Sequence, residues 1–224
     1  MRTIAILPIK SFGAAKQRLS VALPGASRES LAEAMFSDVL TALGHVPGIE
    51  GVAVVTRNPL AEDVARGKGL VLIHDGEETG QSAAALLGIG NALEQGYERV
   101  LLVPGDTPLI EPSEVAALLE RAESDRIGAT IVPDRHRRGT NALLLSPPTA
   151  IEPSFGPDSL ARHRAAAHAA GVSHRVEEVP SLMLDVDTPD DLARVSAKLD
   201  TRTDGAPRTR QALDQLVPTL QGRV

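Results

Sequence analysis

The sequence predicts an α/β fold in which helices cover both faces of a mostly parallel β-sheet, a three-layer α/β/α sandwich. Short runs of apolar and β-branched residues alternate with helical patterns along most of the chain. The runs are apolar almost throughout, as is typical of strands that are buried on both faces. Strand–helix–strand alternation favours parallel pairing, because each helix returns the chain to the same edge of the sheet.

The first half of the chain predicts four strands separated by three helices. The stretch TIAILPI predicts the first strand, and its seven residues are far fewer than the roughly 20 that span a bilayer. In the first predicted helix, Leu31, Met35, Val39 and Leu43 recur at helical spacing. The predicted strands are 2–9, 51–57, 70–75 and 99–106, and the predicted helices are 27–46, 59–67 and 80–96.

The alternation continues less regularly to about residue 200. Thr188 is suited to cap the last of these helices, with Pro189 at its first position. We predict a single domain over residues 1–200 and a flexible extension over 201–224, with a short helix that Pro218 would end. The remaining predicted strands are 128–134, 141–147 and 181–187, and the helices are 113–124, 157–170 and 189–199.

Composition argues against several classes of function. The net charge is −6 and the aromatic residues are three Phe and one Tyr, so we expect no surface for binding nucleic acid. Cysteine is absent, which excludes disulfides, thiolate metal sites and thiol catalysis and accords with a reducing cytoplasm. No apolar segment approaches the length of a membrane span. We expect a cytoplasmic protein that binds neither nucleic acid nor membrane.

Two acidic segments share the triplet Asp-Thr-Pro, and each follows an apolar run. Open parallel sheets bind ligands at the carboxyl ends of their strands, and Asp106 ends the fourth predicted strand. Asp185 and Asp187 alternate along the last one, so they face the same side and would repel each other unless a cation lay between them. We predict that these three carboxylates bind Mg²⁺, which prefers oxygen ligands. A purely structural role in turns and caps is the alternative.

A basic loop follows the first predicted strand. The segment KSFGAAKQRLS contains Lys10, Lys16 and Arg18 and no acidic residue. Its small residues at 13–15 would let a ligand approach the backbone closely, and it lacks the pattern of a P-loop. We predict a site for phosphate groups, with an ordinary solvated loop as the alternative. Cations and magnesium around phosphates would stabilise phosphoryl or nucleotidyl transfer.

With two further motifs, these segments resemble the nucleotidyltransferases, whose Rossmann-like central sheet is of the nucleotide-diphospho-sugar transferase type. The stretches RHRRGTNALLLSPP, at 135–148, and FGPDSLARH, at 155–163, narrow the resemblance to the phosphoenolpyruvate or 2-phospho-L-lactate guanylyltransferases of coenzyme F-420 biosynthesis. The resemblance covers residues 1 to about 200. It implies that GTP and phosphoenolpyruvate are joined, with Mg²⁺ as cofactor, to give enolpyruvyl-diphospho-5'-guanosine and pyrophosphate.

The resemblance also implies roles for the nucleotide and metal residues. Asp106, Lys16 and Arg18 would form the catalytic group. The turn Gly80-Gln81-Ser82 would bind the nucleotide, but the family usually carries Gly-Leu-Asn there, which leaves the preference for guanine open. In full, the implied nucleotide-binding residues are Lys10, Lys16, Arg18, Gly80, Gln81, Ser82 and Asp106, and the implied metal ligands are Asp106, Asp185 and Asp187.

The phosphorylated three-carbon acid would be contacted by Thr140, Gly156 and Ser159. Gly156 and Ser159 lie at the predicted start of a helix, where free amides and the helix dipole attract anions. Basic side chains in the neighbouring loop suit a phospho-carboxylate, with a solvated loop as the alternative. They are Arg135, Arg137 and Arg138, with His136 as a minor candidate. The other histidines considered, His163 and His168, are expected to pack or to face solvent.

Several alternatives stay open on the sequence. The acceptor could be 2-phospho-L-lactate or 3-phosphoglycerate, and a molybdenum-cofactor or sugar-phosphate nucleotidyltransferase would share the outer motifs. A glycosyltransferase would also use an Asp-x-Asp metal pair, and a non-catalytic nucleotide-binding protein is the alternative from a different class. The expected partners are GTP and a small phosphorylated acid, with the product passing to the next enzyme of the pathway. A homodimer is an open question.

Overall fold

The computed structural model describes residues 1–10, 12, 16–76, 79–202 and 204–221. None of the helices in this part combines the length and the apolar character needed to cross a membrane. The strands are β1 (Thr3–Pro8), β2 (Gly51–Thr56), β3 (Val71–His74), β4 (Arg99–Leu102), β5 (Ala129–Pro133), β6 (Thr140–Leu145) and β7 (His174–Val176). A 3₁₀-helix (Gln17–Val21) precedes the α-helices α1 (Gly25–Leu43), α2 (Pro59–Gly67), α3 (Gln81–Glu94), α4 (Pro112–Ser124), α5 (Ser159–Ala169), α6 (Pro189–Asp200) and α7 (Pro207–Gln221).

The described strands form one seven-stranded sheet in the order β3-β2-β1-β4-β6-β5-β7. Neighbouring strands are parallel except that β6 is antiparallel to both β4 and β5. The predicted mostly parallel sheet is therefore confirmed. Because β6 runs in the opposite direction, its first residue, Thr140, pairs with Pro133 at the end of β5. This reversal brings the start of β6 to the same edge of the sheet as the carboxyl ends of β1, β4 and β5.

The sheet is buried because helices pack on both of its faces. In β1, Ala5 and Leu7 join an apolar cluster with residues of α1, α2 and α4. Ile4 and Ile6 join a second cluster with residues of α3 and α5 on the opposite face. This alternation follows from the two-residue period of side chains along a strand. A third cluster, which includes Val186, joins α1 to α6 and α7 beside the sheet.

The start of α6 is fixed by local sequence, as predicted from Thr188 and Pro189. The Thr188 hydroxyl accepts from the N–H of Asp191 at 3.3 Å, and Asp191 Oδ2 accepts from the N–H of Thr188 at 2.8 Å. These reciprocal bonds form a capping box. The chain direction is therefore set directly after Asp187.

The predicted strand at 181–187 is wrong, since this segment pairs with no strand of the described sheet. Its alternation is nevertheless present: Leu182, Leu184 and Val186 are buried, whereas Asp185 and Asp187 are partly exposed. The apolar side chains pack into clusters beside the sheet instead of within it. The seventh strand is β7, whose three half-buried residues offer no apolar run that would predict it.

Within the extension predicted at 201–224, α7 begins at Pro207 and packs against α1. Thr209 is fully buried, and its N–H and hydroxyl donate to Oδ2 of Asp38 at 2.7 and 2.8 Å. The helix continues beyond Pro218 to Gln221. The division of the chain into a domain at 1–200 and an extension stays a prediction.

Candidate active site

Three carboxylates meet at the carboxyl edge of the sheet. Asp106 follows β4, and Asp185 and Asp187 precede α6. One carboxylate oxygen of each residue lies within 4.8 Å of the others. The N–H of Val186 donates to the carbonyl oxygen of Asp106 at 3.1 Å, which joins the two segments. The structure therefore brings together the three residues that the sequence predicted as metal ligands.

The surroundings of these carboxylates favour the binding of a positively charged group. Burial raises the pKa of Asp185 to about 6, and the charges of Asp106 and Asp187 add to the rise. The side-chain amide of Asn141 donates to Asp185 at 3.1 Å and acts in the opposite direction. Asp106 Oδ1 is buried and has no hydrogen-bond partner among the described residues. A buried acceptor beside two further carboxylates fits a divalent cation that takes oxygen ligands.

Lys16 faces the same carboxylates from the start of the 3₁₀-helix. Its ammonium donates to Asp187 Oδ1 at 2.9 Å and to Asp106 Oδ2. Burial lowers its pKa, but attraction to these two carboxylates outweighs burial and holds the pKa above the ordinary lysine value. The group is therefore a permanent positive charge. The other predicted cations, Lys10 and Arg18, are exposed, and each lines a cavity next to Asp106.

Two cavities adjoin the carboxylates. The larger, with a volume of about 690 Å³, is lined by all three carboxylates and by the start of α5. The smaller, about 220 Å³, is lined by Lys10 and Lys16. Gln81 and Asp106 line both cavities. Asp106 therefore stands where a ligand in one space would meet a ligand in the other.

Ser159 begins α5 and lines the larger cavity. Its hydroxyl is buried and finds no hydrogen-bond partner in the part of the chain that the structure describes. Its N–H donates to the carbonyl oxygen of Gly156, and the N–H of Leu160 donates to that of Arg138, each at 3.1 Å. The expectation of free amides at this helix start is therefore wrong for these two residues. The Ser159 hydroxyl is the group left to bind a ligand.

Thr140 opens β6, is 8% exposed and lines the same cavity. Its hydroxyl lies 2.9 Å from Nδ1 of His163, which is fully buried in α5. Sequence analysis predicted no functional role for His163. The two residues are 23 positions apart on different elements, and no motif links them. Only the packing of α5 against the start of β6 reveals the contact.

Comparison with known proteins identifies the family. Residues 3–202 match the family described as guanylyl transferase CofC like. The chain belongs to this family. A phosphoenolpyruvate guanylyltransferase of Conexibacter woesei is 47% identical over 219 residues, which are 98% of each chain. One of Rubrobacter xylanophilus is 43% identical over 88% of this chain and 95% of its own.

Two further comparisons bear on the CofC-like chain. A 3-phospho-D-glycerate guanylyltransferase of Phenylobacterium zucineum is 35% identical over 86% of this chain and 88% of its own. Among solved structures, a Desulfovibrio desulfuricans G20 protein described as a nucleotide-diphospho-sugar transferase superposes with a TM-score of 0.77 and 16% identity, covering 99% of this chain and 98% of its own. At that identity the likeness shows the fold alone, and it confirms the predicted fold type.

In this CofC-like chain the arginines predicted for the acid are paired with acidic side chains. Arg138 lines the larger cavity with His136, and its Nη2 lies 2.9 Å from Asp158. Arg137 is not among the described residues that line this cavity, and its Nη2 lies 2.9 Å from Glu178. The positive charge of the loop is therefore partly compensated where an acid would bind.

Arg135 contacts the start of α6. It donates to Asp191 Oδ1 at 2.7 Å and to Asp190 at 2.9 Å. The other oxygen of Asp191 accepts from the N–H of Asp187 at 3.2 Å and completes the capping box with Thr188. Arg135 thus supports the backbone of a predicted metal ligand, which differs from the predicted contact with the acid.

The predicted nucleotide turn lies directly before and within the first turn of α3. Gly80 has a φ of 133°, a conformation that favours glycine, and Gln81 lines both cavities. Ser82 Oγ accepts from the N–H of Phe155 at 2.9 Å, so it links α3 to the loop before α5. The small residues at 13–15 lie outside the described residues.

Proposed function

We propose that this chain is a magnesium-dependent phosphoenolpyruvate guanylyltransferase. The observation that carries the proposal is that one cavity is lined both by the three carboxylates and by Thr140 and Ser159. Lys16 forms ion pairs with two of the carboxylates. The first group suits a nucleotide triphosphate with its metal, and the second suits a phosphorylated acid. Relatives that are 47% and 43% identical bear this name.

Asp106, Asp185 and Asp187 would hold the Mg²⁺ ion. Two observations support this assignment: Oδ1 of Asp106 is buried with no partner among the described residues, and the three carboxylates repel one another. When bound, the ion would neutralise the negative charge of the phosphates in the transition state. Lys16 supplies a further positive charge, which burial and its ion pairs hold in one place.

The reaction requires no protein nucleophile, because the phosphate of phosphoenolpyruvate is already anionic. One of its oxygens attacks the α-phosphorus of GTP, the bond from that phosphorus to the bridging oxygen breaks, and pyrophosphate leaves. The protein has to align two anions and neutralise their charge. Lys10, Lys16, Arg18 and the turn Gly80-Gln81-Ser82 would hold the nucleotide. Thr140, Gly156, Ser159 and Arg138, which line the larger cavity, would hold the acid.

A second acceptor, 3-phosphoglycerate, is favoured by the relative named for it at 35% identity. The candidate acids differ by a double bond or a hydroxyl, and one side chain can discriminate between such ligands. Two phosphoenolpyruvate guanylyltransferases with greater identity, 47% and 43%, favour phosphoenolpyruvate. In either case we propose that the product serves coenzyme F-420 biosynthesis in the cytoplasm.

Pyrophosphate release tests the proposal directly. Purified protein with Mg²⁺ is given GTP or ATP, each with phosphoenolpyruvate, 2-phospho-L-lactate or 3-phosphoglycerate. We expect release that requires both partners and is fastest with GTP and phosphoenolpyruvate. Faster release with 3-phosphoglycerate would identify 3-phosphoglycerate as the acceptor instead of phosphoenolpyruvate. No acid-dependent release with any pair would overturn the proposed function.

A further inference from the structure

His163 lies behind the acid-binding side of the larger cavity and connects two of its parts. Its Nδ1 is 2.9 Å from the hydroxyl of Thr140, and its Nε2 accepts from the N–H of Ser154 at 2.8 Å. The ring meets that of Phe155 edge-on, with centroids 5.3 Å apart. Both nitrogens of this fully buried ring are therefore used.

The bond from Ser154 determines which nitrogen of His163 carries the proton. A backbone N–H can only donate, so Nε2 has to be the unprotonated acceptor. A neutral ring then carries its proton on Nδ1, and that N–H donates to the hydroxyl oxygen of Thr140. Burial lowers the pKa of His163 to about 4, with a further contribution from the charge of Arg162, so the ring is neutral near pH 7.

This arrangement determines how Thr140 can act. Its hydroxyl oxygen accepts from His163, and among the described residues no acceptor for the hydroxyl proton is found. Because Thr140 lines the cavity, the proton is available to a ligand there. A hydroxyl oriented in this way suits an anionic oxygen, since hydrogen bonds to charged acceptors are stronger than those to neutral ones.

We infer that His163 is a positioning residue that makes the Thr140 hydroxyl a hydrogen-bond donor to the phosphorylated acid. The inference rests on the proposed function, which supplies the anion. Without His163 the hydroxyl would be free to rotate and to present a lone pair to the acid. The loop before α5 keeps other anchors: Arg162 donates to Ser154 Oγ at 2.8 Å, and Ser82 accepts from Phe155 at 2.9 Å. Loss of the ring should therefore weaken binding of the phosphorylated acid more than it destabilises the fold.

Steady-state kinetics of variants test the role. We expect His163→Leu to raise the KM for phosphoenolpyruvate about tenfold or more, with the KM for GTP within about twofold. His163→Asn keeps an amide donor near Nδ1 and should recover most of the affinity. In a Thr140→Val background His163→Leu should add nothing. His168→Leu, a change at an exposed histidine of the same helix, is the matched control.

Equal rises in both KM values, or an undiminished effect in the Thr140→Val background, would overturn the inference. Should His163→Leu fail to fold, nitrogen-15 spectra of the histidine ring in the wild-type protein decide the matter. A proton on Nδ1 near pH 7 is expected, and a proton on Nε2 would overturn the inference. A wild-type protein without acid-dependent turnover would instead refute the proposed function, which the spectra do not test.

Discussion

The amide of Val186 donates to the carbonyl oxygen of Asp106 at 3.1 Å. This backbone contact joins the segment after β4 to the segment before α6, although the second segment is not a strand of the sheet. Because Asp185 and Asp187 flank Val186, the contact places both of their carboxylates beside that of Asp106. The proposed metal site thus depends on a backbone hydrogen bond made at the edge of the sheet.

Replacing Asp106 with Asn should remove a metal ligand while leaving the fold intact. We expect turnover to fall by at least about a hundredfold, in the range seen when one electrostatic group of an active site is lost. The amide is close to the carboxylate in size, so circular dichroism and thermal unfolding should change little. Asp63→Asn is the control, because Asp63 is 74% exposed on α2. A near wild-type rate for Asp106→Asn would refute the metal assignment.

The affinity for Mg²⁺ should depend on pH through Asp185. Burial raises its pKa to about 6, and a carboxylate has to lose its proton to bind a metal. Below pH 6 the dissociation constant should therefore rise by up to about tenfold per pH unit. Calorimetric titrations with Mg²⁺ at about pH 5, 6 and 7 would measure this. An affinity that is constant over this range would contradict the prediction.

Ionisation of Asp185 should lower the stability of the folded protein, whereas ionisation of a carboxyl group with a lowered pKa raises it. Its folded pKa lies above the ordinary value of 3.8, so the unfolded chain releases its proton first as the pH rises. The metal-free protein should therefore lose stability as the pH rises from about 4 to 6. Asp185→Asn should remove this loss, as urea unfolding in the presence of a chelator would show. Parallel pH profiles for the two proteins would count against it.

His163 should destabilise the protein in acid. Its folded pKa of about 4 lies below the ordinary value of 6.5, so the unfolded chain binds its proton first as the pH falls. Stability should be lost between pH 6.5 and 4, by up to about 3 kcal/mol. Asp185 acts with the opposite sign in much of this window, so the contribution is isolated by comparing wild type with His163→Asn. Their difference in unfolding free energy should shrink in acid, and a constant difference would disprove the assignment.

Much of the fold, and the grouping of the three carboxylates at the proposed metal site, could be predicted because the signals are local. The apolar runs of β1, β2 and β4 predict buried parallel strands, and Asp106 lies four residues after the end of β4. The rule that ligands bind at the carboxyl ends of strands then suffices to bring the acidic segments together. Even the wrong strand at 181–187 led to residues that the structure brings together, since Asp185 and Asp187 alternate with buried apolar residues although the segment is not a strand.

The acid-binding side could be predicted only through family motifs, because its contacts are not local. Thr140 reaches the site since β6 runs antiparallel, and nothing in its sequence specifies that direction. His163 lies on an Ala-rich helix without a helical apolar pattern strong enough to orient it. The partners of Arg135 and Arg137 likewise come from distant segments. Composition showed the positive charge of the loop but could not show what compensates it.

Arg135 and Arg137 should differ in their effect on Mg²⁺ affinity, although they lie in the same loop. Arg135 supports Asp191, which in turn holds the N–H of Asp187, whereas Arg137 is 67% exposed and paired with Glu178. We expect Arg135→Gln to weaken Mg²⁺ binding about tenfold, as is typical when a group behind a metal ligand is removed. Arg137→Gln should leave Mg²⁺ affinity unchanged. Calorimetry on both variants decides the question, and equal Mg²⁺ affinities would show that Arg135 does not act through Asp187.

Adding a methyl group should destabilise the protein at one glycine of α3 and stabilise it at another. A Cβ at Gly88 would lie 2.4 Å from Cγ2 of Ile6 and 3.2 Å from Cγ2 of Val55. Both atoms are branch methyls on stiff, buried side chains, so Gly88→Ala should destabilise the protein by about 1–3 kcal/mol. At Gly90, which is exposed, a Cβ meets no described atom within 4 Å.

Gly90→Ala should therefore stabilise the protein by up to about 1 kcal/mol, because alanine is the better helix former. Urea unfolding of both variants measures the two signs. Since Gly88 lets α3 lie close to β1, its substitution should also move the first turn of the helix, where Gln81 lines both cavities. A raised KM for GTP in Gly88→Ala, and not in Gly90→Ala, is the expected kinetic counterpart. Equal stability of the two variants would mean that α3 can move away from the sheet without loss.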